Sequence, residues 1–195
     1  MMLEIFNQAD SNKWDEIVNG SVNGTLYHSW NWLKLIEKHS GTKLYALVFF
    51  DDKDVTPFGA IPLFHMQKFG LKMVFSPPPR SAVTLGPVLL NKGYSQRKFE
   101  LSHLAFQGSI DSFIKNLGTN YTSIITSPGL LDIRPFSWAD YNVKPLYTYM
   151  VDLNQGEKEI WKNMSKSLKL EIKQAEGQGV RIIENPSDNN IDCVL

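Results

Sequence analysis

Between Tyr147 and Val180 the chain runs a strand-like segment, a helix and a second strand-like segment with little between them. Tyr147-Thr-Tyr-Met-Val-Asp-Leu153 predicts a strand. The stretch from Glu157 to Ala175 predicts an amphipathic helix, with Asn154 as its cap and Glu157 reaching back in a capping box. Trp161, Met164, Leu168, Ile172 and Ala175 follow helical spacing and predict a buried stripe. Gly177 and Gly179 come after the helix, so they predict a C-terminal turn leading into a strand. A phosphate cradle places its glycines before a helix. A strand–helix–strand unit of this kind opens a domain, yet fewer than about twenty residues follow it, against the ~100–150 of a typical domain. The expected organisation is one module over residues 1–153 and, over 154–195, the first helix and strand of a second module cut short.

The same helix carries Lys158, Lys162, Lys166, Lys169 and Lys173 within roughly 80° of one another at about 100° per residue. Such a face suits an anionic partner such as phosphate or tRNA. Glu157, Glu159, Glu171 and Glu176 nearly neutralise it, and spacing alone favours an ordinary solvated face.

The rest of the chain is organised to bury a core, because 43% of its residues are apolar and 12% aromatic, which excludes a disordered chain. Its 20 basic and 20 acidic residues balance, so net charge points to neither nucleic acid nor membrane. The longest apolar run, Leu44–Phe50, is strand-sized and too short for a bilayer. The single cysteine, Cys193, reads as a small apolar residue and excludes an internal disulfide or a thiolate zinc cage. No signal peptide is evident at the N-terminus, and a cytoplasmic setting is expected.

Leu3–Phe6 predicts a first strand. Asp10 can cap a helix carrying Trp14, Ile17 and Val18, and the run Asn19–Gly24 breaks it. Ser29 can cap a second helix, with Trp32, Leu33, Leu35 and Ile36 toward the core and its end at Ser40-Gly41. Strands follow at Leu44–Phe50, Phe58–Met66, Met73–Ser76 and Leu85–Leu90, with turns at Asp51–Asp54 and Lys68–Gly70. Tyr94–Leu117 predicts one or two helices, Tyr121–Thr126 a strand, and Asn185–Asn190 a polar loop. The order implies an α+β fold.

Chemistry-bearing residues gather in two loops. Arg80 ends the rigid corner Ser76-Pro-Pro-Pro-Arg80, where a guanidinium can clamp a carboxylate or phosphate bidentately or merely decorate the surface. Asp132-Ile-Arg-Pro-Phe-Ser-Trp138 concentrates charge and aromatics. It reads equally as a binding loop or as a local Asp132–Arg134 ion pair over packed Phe136 and Trp138. His28, His39, His65 and His103 show no metal-binding or catalytic spacing, and no Gly-x-Ser-x-Gly elbow supports a hydrolase.

Tyr27-His-Ser-Trp-Asn-Trp-Leu33, Gly59-Ala-Ile-Pro-Leu-Phe64, Ser76-Pro-Pro78 and Leu85-Gly-Pro-Val88 together resemble the first half of FemAB-like proteins. Asp132-x-Arg-Pro-Phe-x-Trp138, Tyr147-Thr-Tyr149 and the helix from Met164 to Gly179 extend the likeness over nearly the whole chain. The resemblance implies a GNAT-like (acyl-CoA N-acyltransferase-like) α+β domain with a mostly antiparallel central sheet flanked by helices. It also implies transfer of an aminoacyl or acyl group, from aminoacyl-tRNA or another acyl donor, onto an amine, for example in a cell-wall peptide precursor. By position, Lys34, Arg80, Asp132 and Arg134 would face the acceptor, while Lys166, Lys169 and Lys173 would face an anionic ligand or the phosphates of tRNA. No catalytic residue, metal or cofactor is assigned.

With its second module incomplete, the chain is expected to be inactive alone and to form a homodimer through the uncovered face of helix 157–176. The alternative is a non-catalytic binding or assembly module that uses the same cleft. A CoA-dependent acetyltransferase is disfavoured by the missing Arg/Gln-x-x-Gly-x-Gly/Ala loop.

Overall fold

The computed structural model describes residues 2–51, 57–90 and 92–182. Two compact units divide the chain, Met1–Lys144 and Pro145–Leu195, earlier than the expected division after Leu153.

The first unit is built on a mixed sheet. Its strands are β1 (Met2–Phe6), β2 (Lys43–Phe50), β3 (Pro57–Lys68), β4 (Leu71–Ser76), β5 (Val88–Leu89) and β6 (Tyr121–Ile124). The order across the sheet is β1-β2-β3-β4-β6; every pairing is antiparallel except β4 with β6. That last pair is parallel, so the chain must cross over between them, and it does so through α3 (Gln96–Asn116). The strand expected at Leu85–Leu90 shrinks to β5, which takes the same edge of β3 as β4 but at Gly59 and Ala60. Gly59 is required there, because a Cβ would lie 2.7 Å from the carbonyl oxygen of Val88.

Helices cover both faces of the sheet, which is why its strands read as dense apolar runs. On one face α1 (Ser11–Gly20) and α2 (Trp30–Ser40) bury Trp14, Ile17, Val18, Trp30, Leu33 and Ile36 against Ala46, Val48, Ala60 and Phe64. On the other, α3 packs Phe106, Ile110 and Ile114 onto Leu47, Phe49, Ile61, Leu63 and Val74, and the short α4 (Arg134–Trp138) follows β6. Each fully buried aliphatic or phenyl side chain contributes about 1.5–3 kcal/mol of burial free energy. The mostly antiparallel sheet and its flanking helices agree with the expected α+β class.

Several local expectations need correction. Ser29 is the N-cap residue of α2, as expected, but its hydroxyl donates to the Leu26 carbonyl instead of accepting from a helix amide. Leu35 is 48% exposed and does not join the core. The turn expected at Asp51–Asp54 lies outside the described residues beyond Asp51, as do Asn185–Asn190 and Cys193.

Asn23 ties three loops together. Its Nδ2 donates to the Pro87 carbonyl (2.7 Å) and to Ser127 Oγ (3.1 Å), while its Oδ1 accepts from the Leu89 amide (3.0 Å). Asn23→Ala leaves these buried groups unpaired and is expected to cost about 2 kcal/mol, read as a lower urea midpoint at unchanged slope.

In the second unit, Tyr147–Leu153 is irregular and exposed, not a strand; among the described residues no strand pairs with it, and an isolated strand has nothing to satisfy its backbone. The expected single helix is two, α5 (Glu157–Asn163) and α6 (Lys166–Gly177). They separate at Met164, which is extended, and Ser165, whose hydroxyl accepts from the Leu168 amide (3.2 Å) and starts α6. Asn154 does not cap α5: Gly156 stands at that position, and Asp152 caps the short turn before it. The apolar stripe is not buried, with Trp161 and Leu168 both exposed. The C-terminal turn at Gly177–Gly179 forms as expected, closed by Val180 N–H to the Ala175 carbonyl (3.1 Å), but Val180 and the residues to Ile182 are not a strand.

Candidate functional site

The Pro77–Arg80 corner follows β4 and is fixed at its root by Ser76, whose hydroxyl donates to the Pro62 carbonyl (2.6 Å) and accepts from the Gly86 amide (3.1 Å). At its tip Ser81 Oγ donates back to the Pro78 carbonyl (2.7 Å). This turn holds Arg80 at φ 65°, a left-handed conformation uncommon for a side chain of this size. Backbone strain at an exposed position is a pointer to function, since nothing in the core requires it.

Opposite the corner, α2 presents Trp32, Leu35, Ile36, His39 and Ser40, and a cleft of about 480 Å³ lies between them and Pro79, Arg80 and Ser81. Its lining combines the apolar Trp32, Leu35, Ile36 and Pro79 with the polar His39, Ser40, Arg80 and Ser81. No carboxylate lines the cleft, and Arg80 has no ion-pair partner among the described residues. Trp32 stands edge-on to Tyr27, 5.5 Å between ring centres, and its buried indole N–H has no acceptor. Trp32, His39 and Ser81 were not singled out as ligand-facing in the sequence. The signal was present, because Trp32, Leu35, Ile36 and His39 are three, four and seven residues apart and so share one face.

The other expected acceptor residues lie elsewhere. Lys34 is about 160° around α2 from Trp32 at about 100° per residue. It pairs with Glu37, whose second oxygen accepts from the Leu44 amide (2.8 Å), a contact that fixes the turn into β2. Asp132 and Arg134 belong to the opposite face of the sheet, beside α3. The Arg134 guanidinium is held by both Asp132 oxygens (2.8 and 2.9 Å) and by Glu100 (2.8 Å), and it lies over the Trp138 ring. These bonds hold the carboxyls of Asp132 and Glu100 below the usual carboxylate range and raise Arg134. The local ion pair is the arrangement adopted, with Phe136 buried and Trp138, contrary to expectation, 64% exposed. Of the four positions, Arg80 lines this cleft and Lys34, Asp132 and Arg134 do not.

Lys166, Lys169 and Lys173 share a face of α6, but the break at Met164 separates them from Lys158 and Lys162. Lys169 Nζ donates to the Lys162 carbonyl (3.0 Å), and Lys162 pairs with Glu159. The expected five-lysine face is therefore two shorter pieces. His28 and His103 are both buried. His28 is pushed down to about 4 by burial, against the opposing pull of main-chain groups at Gly86, Leu85 and Thr25. Burial also lowers His103, whose ring nitrogens have no hydrogen-bond partner.

Among the described residues no group of three His, Cys, Asp or Glu side chains is placed to hold a metal, and no helix is long and apolar enough to cross a membrane. No protein-family model matches the chain, and no curated protein matches it.

Proposed function

We propose that the chain is the acceptor-binding part of a FemAB-like transferase, which moves an aminoacyl or acyl group onto an amine, and that the acceptor lies in the Arg80 cleft. The observation that carries this reading is an arginine without an ion-pair partner among the described residues, held in a left-handed turn beside a cleft, on a mostly antiparallel sheet with helices on both faces. Its further support is the sequence resemblance, which includes the Ser76-Pro-Pro78 corner itself.

In such a transfer the acceptor nitrogen attacks the acyl carbonyl carbon. A carbon–nitrogen bond forms, the ester or thioester bond to the donor breaks, and the proton lost by the amine balances the one taken up by the departing hydroxyl or thiol. The cleft contributes by fixing the acceptor, which converts an encounter between two molecules into a positioned reaction. Arg80 anchors an anionic part of the acceptor, and Trp32, Leu35 and Ile36 cover its apolar part. Lys166, Lys169 and Lys173 are assigned to the phosphates of the donor. A homodimer through the exposed face of α5 and α6 belongs to the same proposal and is checked by light scattering.

The test offers the chain labelled aminoacyl-tRNA or an acyl thioester together with an amine-bearing peptide, and follows the mass of the peptide. Transfer that is lost in Arg80→Gln supports the reading. Peptide binding that is lost in Arg80→Gln supports the acceptor assignment even without transfer, an outcome shared with a non-catalytic binding module at the same cleft, and absence of peptide binding sinks the assignment of the cleft.

A further inference from the structure

We propose that the group recognised in the Arg80 cleft is a carboxylate attached to an apolar body. The inference rests on the transferase reading for one consequence only, that the acceptor then carries a free carboxylate in addition to the amine that reacts.

Three features select this chemistry. The first is the charge of the lining: it carries the Arg80 guanidinium, and no acidic side chain lines the cleft. An arginine fork matches the two oxygens of a carboxylate. The second is the apolar surface of Trp32, Leu35, Ile36 and Pro79, which is wide enough to cover an aliphatic or aromatic group and offers it no polar partner.

The third is the position of the cleft along α2. His39 and Ser40 belong to the last turn of that helix, where the carbonyl ends concentrate partial negative charge. A phosphate dianion is disfavoured beside a helix C-terminus and gains none of the main-chain N–H donors that phosphate sites use. A monoanion held by one guanidinium, with its apolar part against Trp32 and Leu35, satisfies the first two features and is repelled less than a dianion by the third. The remaining hydroxyl at the tip is already committed, since Ser81 donates to Pro78.

The experiment uses 4-phenylbutyrate, its uncharged amide and inorganic phosphate as probes of the full chain. Affinity is measured by calorimetry, and the Trp32 indole N–H is followed by nitrogen NMR, its signal assigned by loss in Trp32→Phe. Phenylbutyrate is expected to bind saturably, shift the Trp32 signal and exceed the amide by about tenfold or more. Arg80→Gly is the informative variant, because glycine accepts a φ of 65° without strain while removing the guanidinium. It is expected to keep the wild-type circular dichroism and melting temperature and to bind carboxylate no better than amide.

Equal binding of carboxylate and amide overturns the proposal, and so does a preference for phosphate or binding that survives Arg80→Gly. Failure of the transferase reading looks different: no transfer occurs, yet phenylbutyrate still binds at Arg80. Conversely, transfer to an amine lacking any carboxylate, undiminished in Arg80→Gly, overturns this inference and leaves the transferase intact.

Discussion

Trp14→Ala is expected to lower the unfolding free energy by about 4 kcal/mol, the largest effect of any single substitution in the α1–α2 layer. Trp14 is fully buried, meets the Trp30 ring edge-on at 6.2 Å, and its indole N–H donates to the His28 carbonyl at 2.7 Å. Truncation therefore removes a large apolar surface, opens a cavity and orphans a buried carbonyl at once. Its neighbours have little freedom to collapse into the space. Trp30 is held at both ends, its amide by Asp15 (2.7 Å) and its indole by Gln8 (2.9 Å). Trp14→Phe separates the contributions: it keeps a ring in place and loses mainly the hydrogen bond, for about 1–2 kcal/mol plus a smaller packing loss. Urea unfolding of the two variants checks this order. Equal losses would mean that the hydrogen bond outweighs the packing.

Acid is expected to remove about 3 kcal/mol between pH 7 and pH 4 through His28 alone. The imidazole is buried and its Nδ1 accepts from the Thr25 amide at 3.2 Å while contacting the Thr25 hydroxyl at 2.9 Å. Nδ1 must therefore be unprotonated in the folded chain. Burial holds the folded-state value near 4, against an ordinary 6.5. The unfolded chain thus takes up the proton first. The stabilisation is complete above about pH 6.5, declines as pH falls through the window, and is exhausted below about pH 4. His103, lowered by burial as well, adds in the same direction. Denaturation of wild type and His28→Gln at several pH values measures the His28 share. The variant starts less stable but must lose less on acidification; parallel curves would reject His28 as the cause.

The expectations that held share a physical basis. Leu44–Phe50 and Phe58–Met66 are legible because two covered faces demand apolar residues at nearly every position, and the α1 stripe of Trp14, Ile17 and Val18 is legible because a one-sided helix repeats its burial. What escaped depends on partners distant in the chain. Asn23 looks like part of a polar breaker until Pro87, Leu89 and Ser127 surround it. Tyr147–Leu153 has strand-forming residues but no strand beside it among the described residues. The break at Met164 was readable in principle, since Ser165 is a good N-cap, yet uninterrupted apolar spacing on both sides masked it. At the candidate site, the helical wheel alone separates Lys34 from Trp32. Only folding shows that Arg80 and Arg134 occupy opposite faces of the sheet.

The Asn23–Ser127 bond also orders events in time. It joins residues 104 apart, and Ser127 Oγ returns a second bond to the Asn23 carbonyl at 2.7 Å. A ribosome making this protein releases α1, α2 and the β2–β3–β4 meander long before Ser127 leaves the exit tunnel. Those local hairpins can pair as they emerge, whereas the clasp must wait for the long loop to close. Until then Asn23 can meet the Pro87 carbonyl and the Leu89 amide but not Ser127. The nascent chain passes through an interval in which its sheet is largely built and its loops are still unfastened.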